Sequence, residues 1–354
     1  MSLFSADVVP KSFVGIDVGS SALKVVEISG WADRRVLKNY GELKVRTLYE
    51  KPFRTFEKNA LLLSTQDIAK ALRALLQETN ILQKKAIFSI SDFSTFFTNF
   101  ELPTFIEKKE LKDAVGFEAR KHVPLPLSEV TIDWQVLANG NREKNKPYRI
   151  LLIAVPNEVI NQYQEIARLS RLELMALEAE VFGCIRSSLK EEKGTVLLLD
   201  IGAQTTTVSI VKNGNLWNSH TVDIGGNHFA QRIAKALSLD YTTAEQEKRT
   251  KGLEVMSANI LILVPLVDMI VLEMQKSMEN FFQKEKGEIA KIVLAGGAAR
   301  LPGLQEYFEK TLQKKTELLH PFRNILYSPI LEETLNEIGP SFAVAVGMAL
   351  RGFE

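Results

Sequence analysis

The chain carries one short pattern twice. Phe13-Val14-Gly15-Ile16-Asp17-Val18-Gly19-Ser20-Ser21-Ala22-Leu23-Lys24-Val25-Val26 is echoed by Thr195-Val196-Leu197-Leu198-Leu199-Asp200-Ile201-Gly202-Ala203-Gln204-Thr205-Thr206-Thr207-Val208. Each copy is an apolar run, an Asp, a Gly two places on, small or hydroxyl residues, then a second alternating run. Such a segment reads as a β-hairpin whose incoming strand ends in a carboxylate and whose turn is rich in backbone N–H groups. Two of these facing each other across a cleft can clamp a metal-bound nucleotide. The N–H groups cradle the phosphates, and the carboxylates hold the cation that neutralises them.

Length and charge bound the rest. At 354 residues the chain suits two domains, in keeping with the duplication. A net charge of +1 gives no electrostatic reason to expect a nucleic-acid partner. The single cysteine, Cys184, excludes an intrachain disulfide and fits a reducing compartment. Met1 to Lys11 shows no basic segment followed by an apolar one, so no signal peptide is expected. The longest apolar stretch, Ala258 to Leu272, is broken by Asn259, Pro265 and Asp268; it is expected to be a buried helix, too short to span a bilayer. A cytoplasmic protein, or a peripheral one, is the expectation.

Along the chain, the first hairpin is followed by a third strand near Val36 to Thr47 and a polar loop from Tyr49 to Asn59. A helix then carries Ile68, Leu72, Leu75 and Leu76 on one face, with Thr65 as its expected N-cap. After the strand Ala86 to Ser91 the texture changes. Phe96 to Leu102 alternates as a strand, Glu107 to Val123 is a charged helix stopped by Val123-Pro124-Leu125-Pro126, and Thr131 to Leu137 pairs with Tyr148 to Val155 across the Asn139-Gly140-Asn141-Arg142 loop. Glu158 to Leu169 is helical. This unit has no counterpart in the second half and reads as an insertion. In the second half, Asn213-Gly214 marks a tight turn, and Asp223-Ile224-Gly225-Gly226 opens a helix. Ala244 to Lys251 and Leu261 to Gln283 are further helices, Ile289 to Leu294 a buried strand, and Phe342 to Leu350 a small-residue helix.

The paired Asp-x-Gly hairpins resemble the phosphate-1 and phosphate-2 motifs of the actin-like ATPase superfamily. That resemblance implies an α/β, ribonuclease H-like duplicated fold, and it implies ATP with Mg²⁺ as cofactors. Asp17, Gly19, Ser20, Ser21, Asp200, Gly202, Gln204 and Thr205 match the two motifs, with Asp17 and Asp200 as the metal-facing carboxylates. Lys24 stands where actin-type members place a phosphate-contacting lysine, although a lysine pointing from a strand edge into water is the bland alternative. Gly296-Gly297, with Arg300, resembles the adenosine motif; a glycine pair lets backbone approach a flat base. Gly225-Gly226 resembles the second loop that closes over phosphate. Glu245 and Lys248 resemble a helix contact to adenosine, with an exposed (i, i+3) ion pair as the alternative. Glu180 matches the connecting-helix acid that orients water in chaperones. Glu180 to Leu189 and Phe342 to Leu350 resemble the helices that cross at the hinge, where Gly183, Cys184, Ala343, Ala345 and Gly347 would permit close packing. Cys184 is then a buried small hydrophobe. His122, His220, His228 and His320 show no zinc-ligand spacing.

The insertion's place after the first αβ unit resembles the IC subdomain of the FtsA and PilM families. Gly15-Ile16-Asp17-Val18-Gly19-Ser20-Ser21, Glu118-Ala119-Arg120-Lys121-His122-Val123-Pro124, Ile132-Asp133-Trp134-Gln135-Val136-Leu137 and Glu180-Val181-Phe182 resemble the PilM family of type IV pilus assembly proteins in particular. The expected division is subdomain IA at 1–84 and 173–193, IC at 85–172, IIA at 194–224 and 289–354, and IIB at 225–288. By this resemblance the chain is a nucleotide-loaded scaffold that binds the cytoplasmic N-terminal tail of a PilN-like inner-membrane protein between IA and IC, meets the membrane only through that partner, and leaves self-association open. An FtsA-like division protein is the second reading. It is disfavoured because the chain stops four residues beyond Leu350, and so is expected to lack FtsA's C-terminal membrane helix. A small-molecule kinase is the third, disfavoured because no acceptor-site Asp motif is visible. Ala203 replaces the second Asp of actin's phosphate-2 loop, so slow or absent hydrolysis is expected.

Overall fold

The structure is a computed structural model that describes residues 10–44, 64–138 and 147–354. The expected Tyr49–Asn59 and Asn139–Arg142 loops lie outside the described residues. Two five-stranded sheets repeat one topology. In the first, β1 (Lys11–Val18), β2 (Ala22–Trp31) and β3 (Arg34–Lys44) form an antiparallel meander, and β4 (Lys85–Ile90) and later β8 (Glu173–Ala179) add parallel to β1, giving the order β3-β2-β1-β4-β8. In the second, β9 (Thr195–Ile201), β10 (Thr206–Lys212), β11 (Asn215–Val222), β14 (Lys291–Ala295) and β15 (Thr316–Leu318) take the order β11-β10-β9-β14-β15 with the same senses. The duplicated motif therefore generates duplicated architecture, because each copy supplies the hairpin that seeds its own sheet.

Between β4 and β8 stands a three-stranded sheet, β5 (Phe96–Leu102), β6 (Val130–Ala138) and β7 (Tyr148–Pro156), in the order β5-β7-β6, with helix α2 (Leu111–His122) over its own apolar core. The inserted unit is narrower than 85–172. β4 is a strand of the first sheet, and helix α3 (Asn157–Leu169) buries Val159, Tyr163 and Ile166 in the first core beside helix α1 (Thr65–Glu78). The N-cap of α1 is Ser64, not Thr65: the Ser64 hydroxyl accepts the Asp67 N–H at 3.1 Å.

In the second half, helices α5 (Gly226–Leu237), α6 (Tyr241–Lys251) and α7 (Val264–Glu285), with α8 (Leu304–Leu312), cover the second sheet in one continuous core. Ala258 to Leu272 is not a single buried helix. Ala258 and Asn259 take positive φ in the turn between β12 (Met256–Ser257) and β13 (Ile260–Leu261), and α7 starts only at Val264, leaving Ile260, Leu261, Met269 and Leu272 exposed.

Helix α4 (Glu180–Cys184), continued by a π-helical turn at Ile185–Leu189, crosses helix α9 (Glu332–Arg351) in a core that also receives Val196, Leu198 and Val293 of the second sheet. α9 begins ten residues earlier than Phe342, running straight through Pro340. The crossing is close because glycines meet backbone. A Cβ on Gly347 would stand 2.0 Å from the Gly183 carbonyl oxygen, and one on Gly15 would stand 1.9 Å from that of Ala345. Gly347→Ala should therefore overpack the hinge and lower stability by about 1–3 kcal/mol, read as a reduced urea midpoint at unchanged slope.

Candidate functional site

Both motif carboxylates sit one residue before the end of their strands. Asp17 lies opposite Lys24 across the first hairpin, and Asp200 opposite Thr207 across the second. Asp17 is buried, accepts the Ser89 hydroxyl at 3.1 Å and lies 3.6 Å from Lys24 Nζ. Lys24 does not point into water: its side chain is 12% exposed, and its ammonium stands 5.9 Å from the centre of the Phe342 ring. The two turns close identically, Gly19 N–H to Ala22 O at 3.1 Å and Gly202 N–H to Thr205 O at 2.9 Å. The backbone N–H groups of Ser20, Ser21, Ala203 and Gln204 make no hydrogen bond among the described residues, so each turn offers donors to an anion.

The remaining candidates divide. Gly296 takes φ +92°, and a Cβ there would lie 2.4 Å from Asp200 Oδ1, so this turn must pass hard against the second carboxylate. Gly297 faces open space. Arg300 turns away from the carboxylates, donating to the Asn336 carbonyl at 3.3 Å. The Gly226 and Asn227 N–H groups bond the Gly202 and Ala203 carbonyls at 3.0 and 2.7 Å, and the Gly225 N–H goes to His228 Nδ1 at 3.1 Å. The Gly225-Gly226 loop thus braces the phosphate-2 turn, and its own first donors are committed to protein. Glu245 and Lys248 form a 2.6 Å ion pair that is not an exposed one: Lys248 is buried and donates to the Gly226 carbonyl at 3.0 Å.

A second concavity, of about 840 Å³, has none of Asp17, Lys24, Asp92, Glu180 or Asp200 in its lining. Its flanks are β8 at one edge of the first sheet and β6 at one edge of the inserted sheet. Ile153, Val155, Phe182 and Ile185 contribute apolar surface, and Gly214 to Leu216 bring in the β10–β11 hairpin of the second sheet. Arg186 holds Glu178 at 2.5 Å and Glu354 at 3.1 Å within the same lining.

The sequence profile described as Type IV pilus assembly protein PilM matches residues 15–353. The chain belongs to the PilM family. Among solved structures, a PilM-PilN type IV pilus biogenesis complex is similar with a TM-score of 0.81 at 26% identity, covering 96% of this chain and 98% of that one. MreB5 of Spiroplasma citri bound to ADP shares the fold, with a TM-score of 0.50 at 15% identity over 93% of this chain and 98% of that one. The cell division protein FtsA of Bacillus subtilis is 22% identical over 240 residues, 58% of this chain and 54% of that protein. The chain spans about half the length of the curated FtsA relatives it matches.

In this PilM-family chain the sequence reading missed one acid. Asp92 follows β4, the counterpart of the strand that ends in Gly296-Gly297. It is buried; its N–H donates to Glu180 Oε2 at 3.2 Å, its Oδ1 accepts the Val181 N–H at 3.2 Å, and its Oδ2 has no hydrogen bond within 3.5 Å among the described residues. Burial pushes the Asp92 carboxyl up to about 8, and the negative charge of Asp200 adds to that effect. Burial, then the charge of Asp17, raises Asp200 to about 6 while Lys24 opposes. Burial, then Asp92, Asp17 and Asp200, holds Glu180 well above the ordinary range. Cys184, 3.8 Å from Asp200 Oδ2, has its thiol pushed up by burial and is no nucleophile. Among the described residues no group of three or more His, Cys, Asp or Glu is placed to coordinate a metal directly. The arrangement fits a cation that keeps most of its waters between the carboxylates. Because native Asp92 retains its proton up to about 8 while the unfolded chain loses it near 3.8, its contribution to stability is full in acid and is lost as pH rises across that window. Asp92→Asn should raise the melting temperature of the unliganded protein near pH 8 and flatten its decline between about pH 5 and about pH 8, as scanning calorimetry would show.

Proposed function

We propose that this PilM-family chain is an ATP-binding scaffold that captures the cytoplasmic N-terminal tail of a PilN-type inner-membrane protein. The observation that carries this reading is the cavity between β8 and β6. Two sheet edges with no outer strand neighbour among the described residues, set about an apolar floor, suit an extended peptide bearing a few apolar side chains. Support comes from the similar solved structure, which is a complex of a PilM with a PilN. No helix of the described residues is long and apolar enough to cross a membrane.

ATP would lie between the two hairpin turns, as the ADP-bound MreB5 relative favours, with Mg²⁺ held through its waters by Asp17 and Asp200. The magnesium would neutralise phosphate charge. Turn donors at Ser20, Ser21, Ala203 and Gln204 would bind the phosphate oxygens, with Lys24 beside them. Glu180 would be the acid that orients a water, but burial pushes its carboxyl well above the ordinary range and so favours its neutral form in the unliganded cleft, and the phosphate-2 turn carries Ala203 where actin has an Asp. Turnover is therefore slow.

Asp17→Ala or Asp200→Ala should weaken Mg-ATP binding by at least about tenfold in calorimetry while leaving the circular dichroism unchanged; parent-like affinity in either would refute the clamp. Unpartnered phosphate release should fall well below the ~1 s⁻¹ floor of ordinary enzymes, and fast release would revive an enzymatic reading. Titration with the tail peptide should slow hydrogen exchange at Thr131–Gln135 and Leu174–Ala179. Protection confined to the second half, or none at saturation, would remove the scaffold reading.

A further inference from the structure

We propose that the β10–β11 hairpin couples the two sites, so that nucleotide and peptide each raise the other's affinity; the inference rests on the function proposed above. The hairpin has one end in each site. β10 starts at Thr206, directly after the Gly202–Thr205 turn that faces the phosphates, and runs to Lys212. At about 3.3 Å per residue it carries a displacement roughly 23 Å. Its far turn, Asn213-Gly214, leads into Asn215 and Leu216, and Gly214, Asn215 and Leu216 form the second-domain wall of the peptide cavity.

The lever is stiff and seated at both ends. Thr207 and Thr221 hydroxyls pair across it at 3.1 Å and those of Ser209 and Ser219 at 2.8 Å, while Thr206 Oγ1 donates to the Ile224 carbonyl at 2.7 Å. At the far turn the Asn213 N–H donates to Gly194 O at 2.7 Å, and Gly214 lies so close to the end of the hinge segment that a Cβ would meet the Lys190 carbonyl oxygen at 2.1 Å. Gln135 of β6 reaches over to Asn215 Oδ1 at 3.1 Å, joining the peptide-binding edge to the hairpin.

The inserted subdomain is also fastened to the second domain outside the cavity. Asn99 Nδ2 on β5 donates to the Trp217 carbonyl on β11 at 2.9 Å. Arg149 of β7 pairs with Glu285 at the end of α7, which also takes Lys212 at 2.5 Å, and the Arg149 guanidinium stands 5.6 Å from the centre of the Trp217 ring. A nucleotide reaches both turns only when the domains are closed on it. A peptide reaches all three walls only when the hairpin tip is home. Each ligand therefore favours the same arrangement, which is the differential contact that coupling requires.

The experiment is a calorimetric square: the tail peptide titrated with and without Mg-ATP, and Mg-ATP with and without peptide. The expected coupling is at least about fivefold and equal in both directions. The double variant Asn99→Ala, Glu285→Ala touches neither ligand; it should leave each separate affinity within about twofold and reduce the coupling below about twofold. In the parent, Mg-ATP alone should slow hydrogen exchange at Asn213–Leu216, a readout independent of any variant's folding. Both ligands binding without mutual effect, or coupling undiminished in the folded double variant, would overturn the inference and leave the scaffold reading standing. Failure of the peptide to bind at all would overturn both.

Discussion

The approach of α9 to β1 and α4 is the constraint from which the rest of the molecule follows. Gly15, Gly183 and Gly347 remove side chains where backbone must meet backbone, and this lets one buried core serve both sheets. Only with the sheets drawn together do Asp17 and Asp200 share a cleft. The same helix also steadies the adenosine-type turn. Pro340 has no N–H for the Asn336 carbonyl four residues earlier, a defect that inside a helix costs about 3 kcal/mol or more. Here the freed carbonyl accepts Arg300, and the Pro340 carbonyl accepts the Gly296 N–H at 2.8 Å. A helix fault has become the seat of a loop.

The cleft that results is electrostatically uncomfortable when unliganded. Asp92, Glu180 and Asp200 lie at depth beside Asp17, with Lys24 as the nearby cation, and burial disfavours the ionisation of Asp92, Glu180 and Asp200. A hydrated dication set between Asp17 and Asp200 would offset the charge that these buried carboxylates place on one another. The burial that raises Asp200 also holds Glu180 well above the ordinary carboxylate range, so the two shifts share one physical origin.

Much of this was legible in the sequence, for reasons that differ by residue. The duplicated hairpins announced the sheets because alternation, Asp and Gly recur at fixed spacing, and strand Phe96–Leu102 was bounded correctly by its alternation and by Pro103. α9 was read short because Pro340 normally ends a helix, and its tolerance depends on Arg300 and Gly296, which lie far off in sequence. β4 was placed in the insertion because membership of a sheet is a matter of partners, and a lone apolar run does not name them. Asp92 left no local signal at all. It follows a strand as countless aspartates do, and only the internal duplication, which aligns it with the Gly296-Gly297 turn, marked the position. Lys24 and Lys248 were singled out by the resemblance alone, and their burial depends on Phe342 and on the Gly226 loop, which no local pattern reveals.

An open strand edge is ordinarily a hazard, since it templates pairing with any exposed edge it meets. Here β6 and β8 keep such edges, yet both line a concavity rather than a convex rim. Another folded sheet cannot enter a hollow of about 840 Å³, whereas a single extended chain can. On the function proposed above, the insertion would convert a general aggregation risk into selectivity for a tail, chosen by shape before any side chain is read. The lining charges reinforce this choice. Glu178 and Glu354 are matched by Arg186 and Arg351, so a strongly charged ligand gains little net attraction while apolar side chains find Ile153, Val155, Phe182 and Ile185. Recognition of this kind suits a short, weakly charged segment that emerges from a membrane protein and has no fold of its own.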